Sequence, residues 1–154
     1  MPVANVRTHD RKERNLTVVS LLQWCDEAPA TVSVLATVED AIRAMMDKDV
    51  GAVVVIDEKG VVAGMFTERD VLAKFALSGR DAGTTPVREL MSPMVEMATT
   101  ETTAAEAFAV MLERHYRHLP VVDDHGKVLG ILSIRNILEA RIDDLLEELG
   151  SRKP

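Results

Sequence analysis

The sequence predicts an α/β (α+β) fold built from one unit used twice, each unit reading β-α-β-β-α. The first observation behind this is an internal repeat: Gly64-Met65-Phe66-Thr67-Glu68-Arg69-Asp70 returns 66 positions later as Gly130-Ile131-Leu132-Ser133-Ile134-Arg135-Asn136. The register holds without a gap from Thr37/Thr103 to Leu72/Leu138, and ten of its 36 pairs are identical. A repeat of that length marks a duplicated structural unit. The second observation is a β-branched run, Val53-Val54-Val55-Ile56, of strand length and apolar on both faces. The third is a helical apolar stripe in each copy, Ala41, Ile42, Met45 and Met46 in the first and Ala107, Phe108, Met111 and Leu112 in the second.

The elements follow in order. The stretch from Leu16 to Val34 has short apolar alternations that can add a strand. Thr37 is placed to cap the first helix, with Asp40 three positions on in a capping-box role. After the Val53–Ile56 strand, Asp57-Glu58-Lys59-Gly60 supplies turn chemistry, with Gly60 free to take a positive φ. Val61–Phe66 returns as a strand, and Thr67 caps a second helix running through Asp70, Val71, Leu72 and Phe75. Residues 78–86, rich in Gly, Ser and Thr, form a linker.

In the second copy Thr103 caps, Leu119–Val122 is the strand, Asp123-Asp124-His125-Gly126 the turn, and Ser133 caps the last helix. Pro120 lacks an amide donor and is expected near the strand's start or at an unpaired position. Leu138, Ile142, Leu145 and Leu149 then form one apolar stripe on a continuing helix, suited either to packing on its own unit or to a dimer seam. The resulting division is a polar segment 1–15, repeat 16–77, linker 78–86, repeat 87–142 and an acidic extension 143–154.

Composition sets limits. The chain has 154 residues, is 47% apolar and has no run approaching the ~20 residues of a membrane helix. The polar N-terminus lacks the apolar core of an export signal, and the single Cys25, beside Trp24, has no internal disulfide partner, so a cytoplasmic location is expected. A net charge of −7 argues against general affinity for nucleic acid, although Glu139, Asp143, Asp144, Glu147 and Glu148 concentrate much of it at one end. Three Phe, one Tyr and one Trp offer no stacking platform for single strands.

Candidate chemistry sits at the strand-to-helix junctions. Such a junction exposes unpaired N–H groups and the positive end of the helix dipole. Gly64 permits close backbone approach, Thr67 offers a hydroxyl, and Asp70 lies one turn on, on the same face. A carboxylate there can accept both hydrogen bonds of a ribose diol; the plainer reading is that Thr67 caps and Asp70 favours the dipole. His115 and His118 lack a third ligand at suitable spacing, so no metal site is expected. Cys25 has no identifiable base, no acid–base pair stands out, and no enzyme activity is expected.

His-Leu-Pro-Val-Val-Asp-x-x-Gly-x-x-x-Gly-Ile-x-Ser, residues 118–133, with its duplicate at matching spacing, resembles the cystathionine-β-synthase (CBS) domain family over residues 16–142. Two such domains in tandem form the unit known as a Bateman module. The resemblance implies two repeats packed with pseudo-twofold symmetry, clefts for AMP, ADP, ATP or S-adenosylmethionine as a regulatory ligand, no obligatory cofactor, a homodimer and an unidentified regulated protein. Carried over residue by residue, it gives Asp70 the ribose hydroxyls, Thr67 the adjacent hydroxyl, and Arg117 and His118 the phosphate. Ser133 and Arg135 complete that cleft, with adenine against Val53 and Val34. In the other cleft Asn136 replaces the acid and Gly51-Ala52 replaces the Arg-His pair, so that site, served by Arg69, is expected to be weak or empty. The rival expectation is a ligand-independent dimeric interaction module with vestigial clefts.

Overall fold

The computed structural model describes residues 17–22, 28–93 and 96–151. Residues 1–15, Trp24 and Cys25, considered above, lie outside them. The fold is mixed α+β, with two small sheets. In chain order the elements are α1 (Val18–Leu22), β1 (Thr31–Ser33), α2 (Val38–Lys48), β2 (Ala52–Ile56), β3 (Val62–Thr67), α3 (Glu68–Asp70) continued by a π-helical turn (Val71–Phe75), and α4 (Val87–Leu90). They continue as β4 (Ser92–Pro93), β5 (Ala98–Thr99), α5 (Ala104–Arg114), β6 (His118–Val122), β7 (Val128–Ser133) and α6 (Ile134–Ser151). Among the described residues the chain gathers into two compact units, one of residues 28–93, 96–97 and 122–130, the other of 17–22, 98–121 and 131–151.

The first unit carries the sheet β1-β2-β3-β4. β1 runs parallel to β2, pairing Thr31 with Val54. β3 returns antiparallel, pairing Ala52 with Thr67, and β4 adds to β3 by pairing Met65 with Ser92. Val53, Val55 and Phe66 meet Val38, Ala41 and Met45 of α2, together with Ala30 and Val87, in an apolar cluster. Each Val, Met or Phe side chain of this cluster, fully buried, contributes ~1.5–3 kcal/mol against exposure.

The predicted stripe on α2 is corrected at one position. The buried face is Val38, Ala41 and Met45, with Ile42 half-buried, and Met46 is 74% exposed. Spacing of three and four from Val38 reaches 41 and 45, and Met46 lies a further ~100° round the helix. The second copy repeats the pattern, with Ala107 and Met111 buried and Leu112 57% exposed.

The segment 78–86 is not a bare linker. The Val38 N–H donates to the Thr85 carbonyl and the Glu39 N–H to the Ala82 carbonyl. Thr37 Oγ1 accepts from the Asp40 N–H, and the Asp40 carboxylate accepts from the Thr37 N–H. Every donor in the first turn of α2 is therefore satisfied, two of them by this segment.

The second unit carries β5, most of β6 and the second half of β7, neighbours in the order β5-β6-β7, with α5, α6 and α1. α1 packs in this unit: Thr17 bridges Thr103, and the Val18 N–H donates to the Thr102 carbonyl. Residues 87–93 supply α4 and β4 to the first unit. Pro120 is the third residue of β6 rather than its first, in a strand flanked on one side by β5 of only two residues. So short an edge strand asks few donors of its neighbour.

The duplication reaches into backbone geometry. Asp49 and His115, 66 apart, both end their helices in the left-handed region, at φ 50° and 58°. Gly60 and Gly126 take φ 80° and 78° in the paired turns. There Asp57 Oδ1 accepts from the N–H groups of Lys59 and Val61, as Asp123 Oδ1 does from His125 and Lys127.

Candidate functional site

In the first unit the site is built at the turn from β3 into α3. Ala52 pairs with Thr67 across the sheet, and the Gly51 carbonyl accepts the Glu68 N–H. The strand end is thereby fixed before the helix begins. Thr67 caps it: Oγ1 accepts from the Asp70 N–H at 3.2 Å. Asp70 Oδ2 in return accepts from the Thr67 N–H at 3.0 Å and from the Thr67 hydroxyl at 3.1 Å. Asp70 is only 7% exposed. A carboxylate this enclosed depends on hydrogen bonds and an opposite charge.

Both are supplied by residues that sequence reasoning missed. Ser92 Oγ donates to Asp70 Oδ1 at 3.1 Å, and Lys74 Nζ lies 3.1 Å from the same oxygen. Lys74 also donates to the Ser92 hydroxyl at 3.0 Å and to the Leu90 carbonyl at 3.1 Å. Lys74 is delivered by the π-helical turn, closed where the Ala76 N–H reaches the Val71 carbonyl. Turns of this kind recur at functional sites. The expected regular helix after Asp70 is corrected by this wider turn. Val71 and Phe75 pack on the core, whereas Leu72 is exposed.

Gly64 has a different use from the one foreseen. The backbone that approaches it closely is β4, because a Cβ at Gly64 would lie 2.7 Å from the Ser92 carbonyl oxygen and 2.9 Å from Met91 Sδ. Glycine there is what lets Ser92 reach Asp70. Val53 is fully buried in the apolar cluster and its side chain is committed to the core; Val34, half-buried, packs at the margin of that cluster. Arg69 is exposed on α3.

The second unit repeats the junction with different chemistry. The Arg117 carbonyl accepts the Ile134 N–H, as Gly51 does from Glu68. Ser133 Oγ accepts from the Asn136 N–H at 3.0 Å. Asn136 Oδ1 accepts from the Ser133 N–H at 3.0 Å and from its hydroxyl at 2.6 Å. The cap is conserved between the copies while the negative charge is not. His118 is half-buried at the start of β6 and Arg117 is exposed. Arg135 is directed along α6, its side chain 85% exposed and paired with Glu139 at 2.9 Å. Among the described residues no group of three or more His, Cys, Asp or Glu is placed to hold a metal ion. Nor, among them, is any helix long and apolar enough to cross a membrane.

A family model for the CBS domain matches residues 23–77 and again 87–143. The chain belongs to the CBS domain family. It carries two CBS domains in tandem, and its solved neighbours share the fold. A CBS-domain-containing protein from Agrobacterium tumefaciens is 31% identical, with a TM-score of 0.73 over 82% of this chain and 94% of that one. The crystal structure of CBSX2 in complex with AMP is 29% identical, with a TM-score of 0.63 over 75% of this chain and 88% of that one. A 17.7 kDa protein from Acidianus ambivalens is 37% identical over 107 residues, which is 70% of this chain and 63% of that protein. The chain spans about half to three fifths of the length of such curated relatives, 63%, 56% and 48% in three cases.

Proposed function

We propose that this tandem CBS chain is a regulatory module that binds an adenosine-containing ligand, AMP, ADP or ATP ahead of S-adenosylmethionine, through Asp70 of its first repeat. The observation that carries this reading is the enclosed carboxylate of Asp70 at a strand-to-helix junction, where the second repeat has the neutral Asn136. A carboxylate accepts two hydroxyls without donating, whereas an amide presents one acceptor and one donor group. The AMP complex of CBSX2, a structural relative, supports the choice of ligand class. Thr67 holds Asp70 in place. Arg117 and His118 are the proposed phosphate contacts, by their match to the family pattern. Val34 is carried forward as an adenine contact, with Val53 contributing backbone only. Arg135, held by Glu139, is a weaker candidate.

No reaction is proposed. Occupancy shifts the chain between conformations that a partner protein reads, by no more than the ligand's difference in affinity for them. The stripe Leu138, Ile142, Leu145 and Leu149 is exposed on α6, which supports association with a second copy.

The same stripe favours the second reading, a ligand-independent dimeric interaction module. Calorimetric titration with AMP, ATP and S-adenosylmethionine separates the two. The first reading expects saturable binding that Asp70→Ala abolishes. Failure of all three ligands to bind at millimolar concentration sinks it in favour of the second.

A further inference from the structure

The carboxylate proposed to receive a ribose diol has no two acceptor positions to spare, with three hydrogen bonds and an ion pair on it. An ionised carboxylate has about four acceptor positions. Asp70 Oδ2 receives the Thr67 N–H and hydroxyl, Oδ1 receives the Ser92 hydroxyl, and the Lys74 ammonium stands in an ion pair 3.1 Å from Oδ1. Lys74 is held in turn, donating to the Ser92 hydroxyl and the Leu90 carbonyl while its ammonium pairs with the Asp70 carboxylate. A diol can bind only where one of these donors leaves. Those from Thr67 belong to the cap that starts the helix, and losing them leaves backbone groups unsatisfied. Those on Oδ1 come from two side chains, one of them 39% exposed and able to find water.

We propose that Lys74 and Ser92 are the internal occupants of Asp70. An adenosine ligand enters the first repeat by displacing them, and in doing so it releases β4. This rests on the nucleotide reading of Asp70 and adds its regulation. Lys74 joins the helix to the carbonyl just before β4, and Ser92 lies within β4. Exchange of the hydrogen bond and the ion pair at Oδ1 therefore reaches the segment through which the chain leaves the first unit. The device is confined to that repeat, because the position matching Lys74 is Ala140, buried and without charge.

Adenosine, which has no phosphate, is the appropriate probe. Wild type, Lys74→Met, Ser92→Ala and Asp70→Ala are titrated by calorimetry, with circular dichroism as the check on folding. Displacement predicts that Lys74→Met and Ser92→Ala each bind adenosine roughly two- to fivefold more tightly, the scale of a partly exposed ion pair. Asp70→Ala is expected to lose binding. Unchanged or weaker binding in both variants, with wild-type binding still dependent on Asp70, overturns displacement and leaves the nucleotide reading standing. No adenosine or AMP binding by any of these proteins overturns both. Should the variants fold poorly, hydrogen exchange on wild type decides: saturating AMP must speed exchange at Met91 and Ser92, and unchanged or slower exchange there contradicts the proposal.

Discussion

The Ser92 carbonyl oxygen lies 2.7 Å from the point where a Gly64 side chain would begin. β3 and β4 thus pair at a distance that only glycine permits, and the pairing carries Ser92 to Asp70. Gly64→Ala is expected to push β4 away and destabilise the protein by ~1–3 kcal/mol, the usual cost of overpacking. Urea unfolding measures it. A midpoint equal to that of wild type would show that β4 yields without cost.

The helix caps are separable elements. Thr37 and Thr103 each form both halves of a capping box. Thr37→Ala and Thr103→Ala should each cost ~1 kcal/mol. Because each cap acts within its own unit, the double variant should show the sum of the two losses in equilibrium unfolding.

Left-handed helix ends offer a gain. His115 at φ 58° bears a strain that glycine does not, so His115→Gly should stabilise the chain by ~0.5–1 kcal/mol. Asp49→Gly should gain less, since a short polar side chain tolerates this conformation better. Thermal unfolding of the two variants tests the order.

Two carboxyl groups make stability depend on acid. The N–H groups of Lys127 and then His125 hold Asp123 below its ordinary value of 3.8, and the backbone and hydroxyl of Thr37 do the same for Asp40. A group depressed in the folded state binds fewer protons there than when unfolded. Its stabilisation is complete above 3.8 and fades as pH falls through the lower folded value. Asp123→Asn should therefore lower the urea midpoint at pH 7, and the gap from wild type should narrow on descent below pH 4. A gap that stays constant with pH would contradict this assignment.

These residues also show where sequence is transparent. Thr37 with Asp40, Thr103 with Glu106 and the Asp57 and Asp123 turns act on backbone within four positions, so spacing alone exposes them. The asymmetry between Asp70 and Asn136 is visible for the same reason. Lys74 and Ser92 are not, because Ser92 meets Asp70 across 22 residues and Lys74 reaches β4 across 18. Their meeting requires a π-helical turn and the added strand, neither of which has a short-range signature. Residues 78–86 read as a linker because Thr85 and Ala82 cap α2 with carbonyls, which every residue possesses.

The proposed function rests on unequal repeats, an Asp70 site expected to bind and an Asn136 site expected to be weak or empty. The most direct measurement is the stoichiometry of AMP binding to wild type and Asn136→Ala by calorimetry. The expected result is one AMP per chain, unchanged in affinity by Asn136→Ala. Two equivalent sites per chain, or loss of binding in Asn136→Ala, would contradict it.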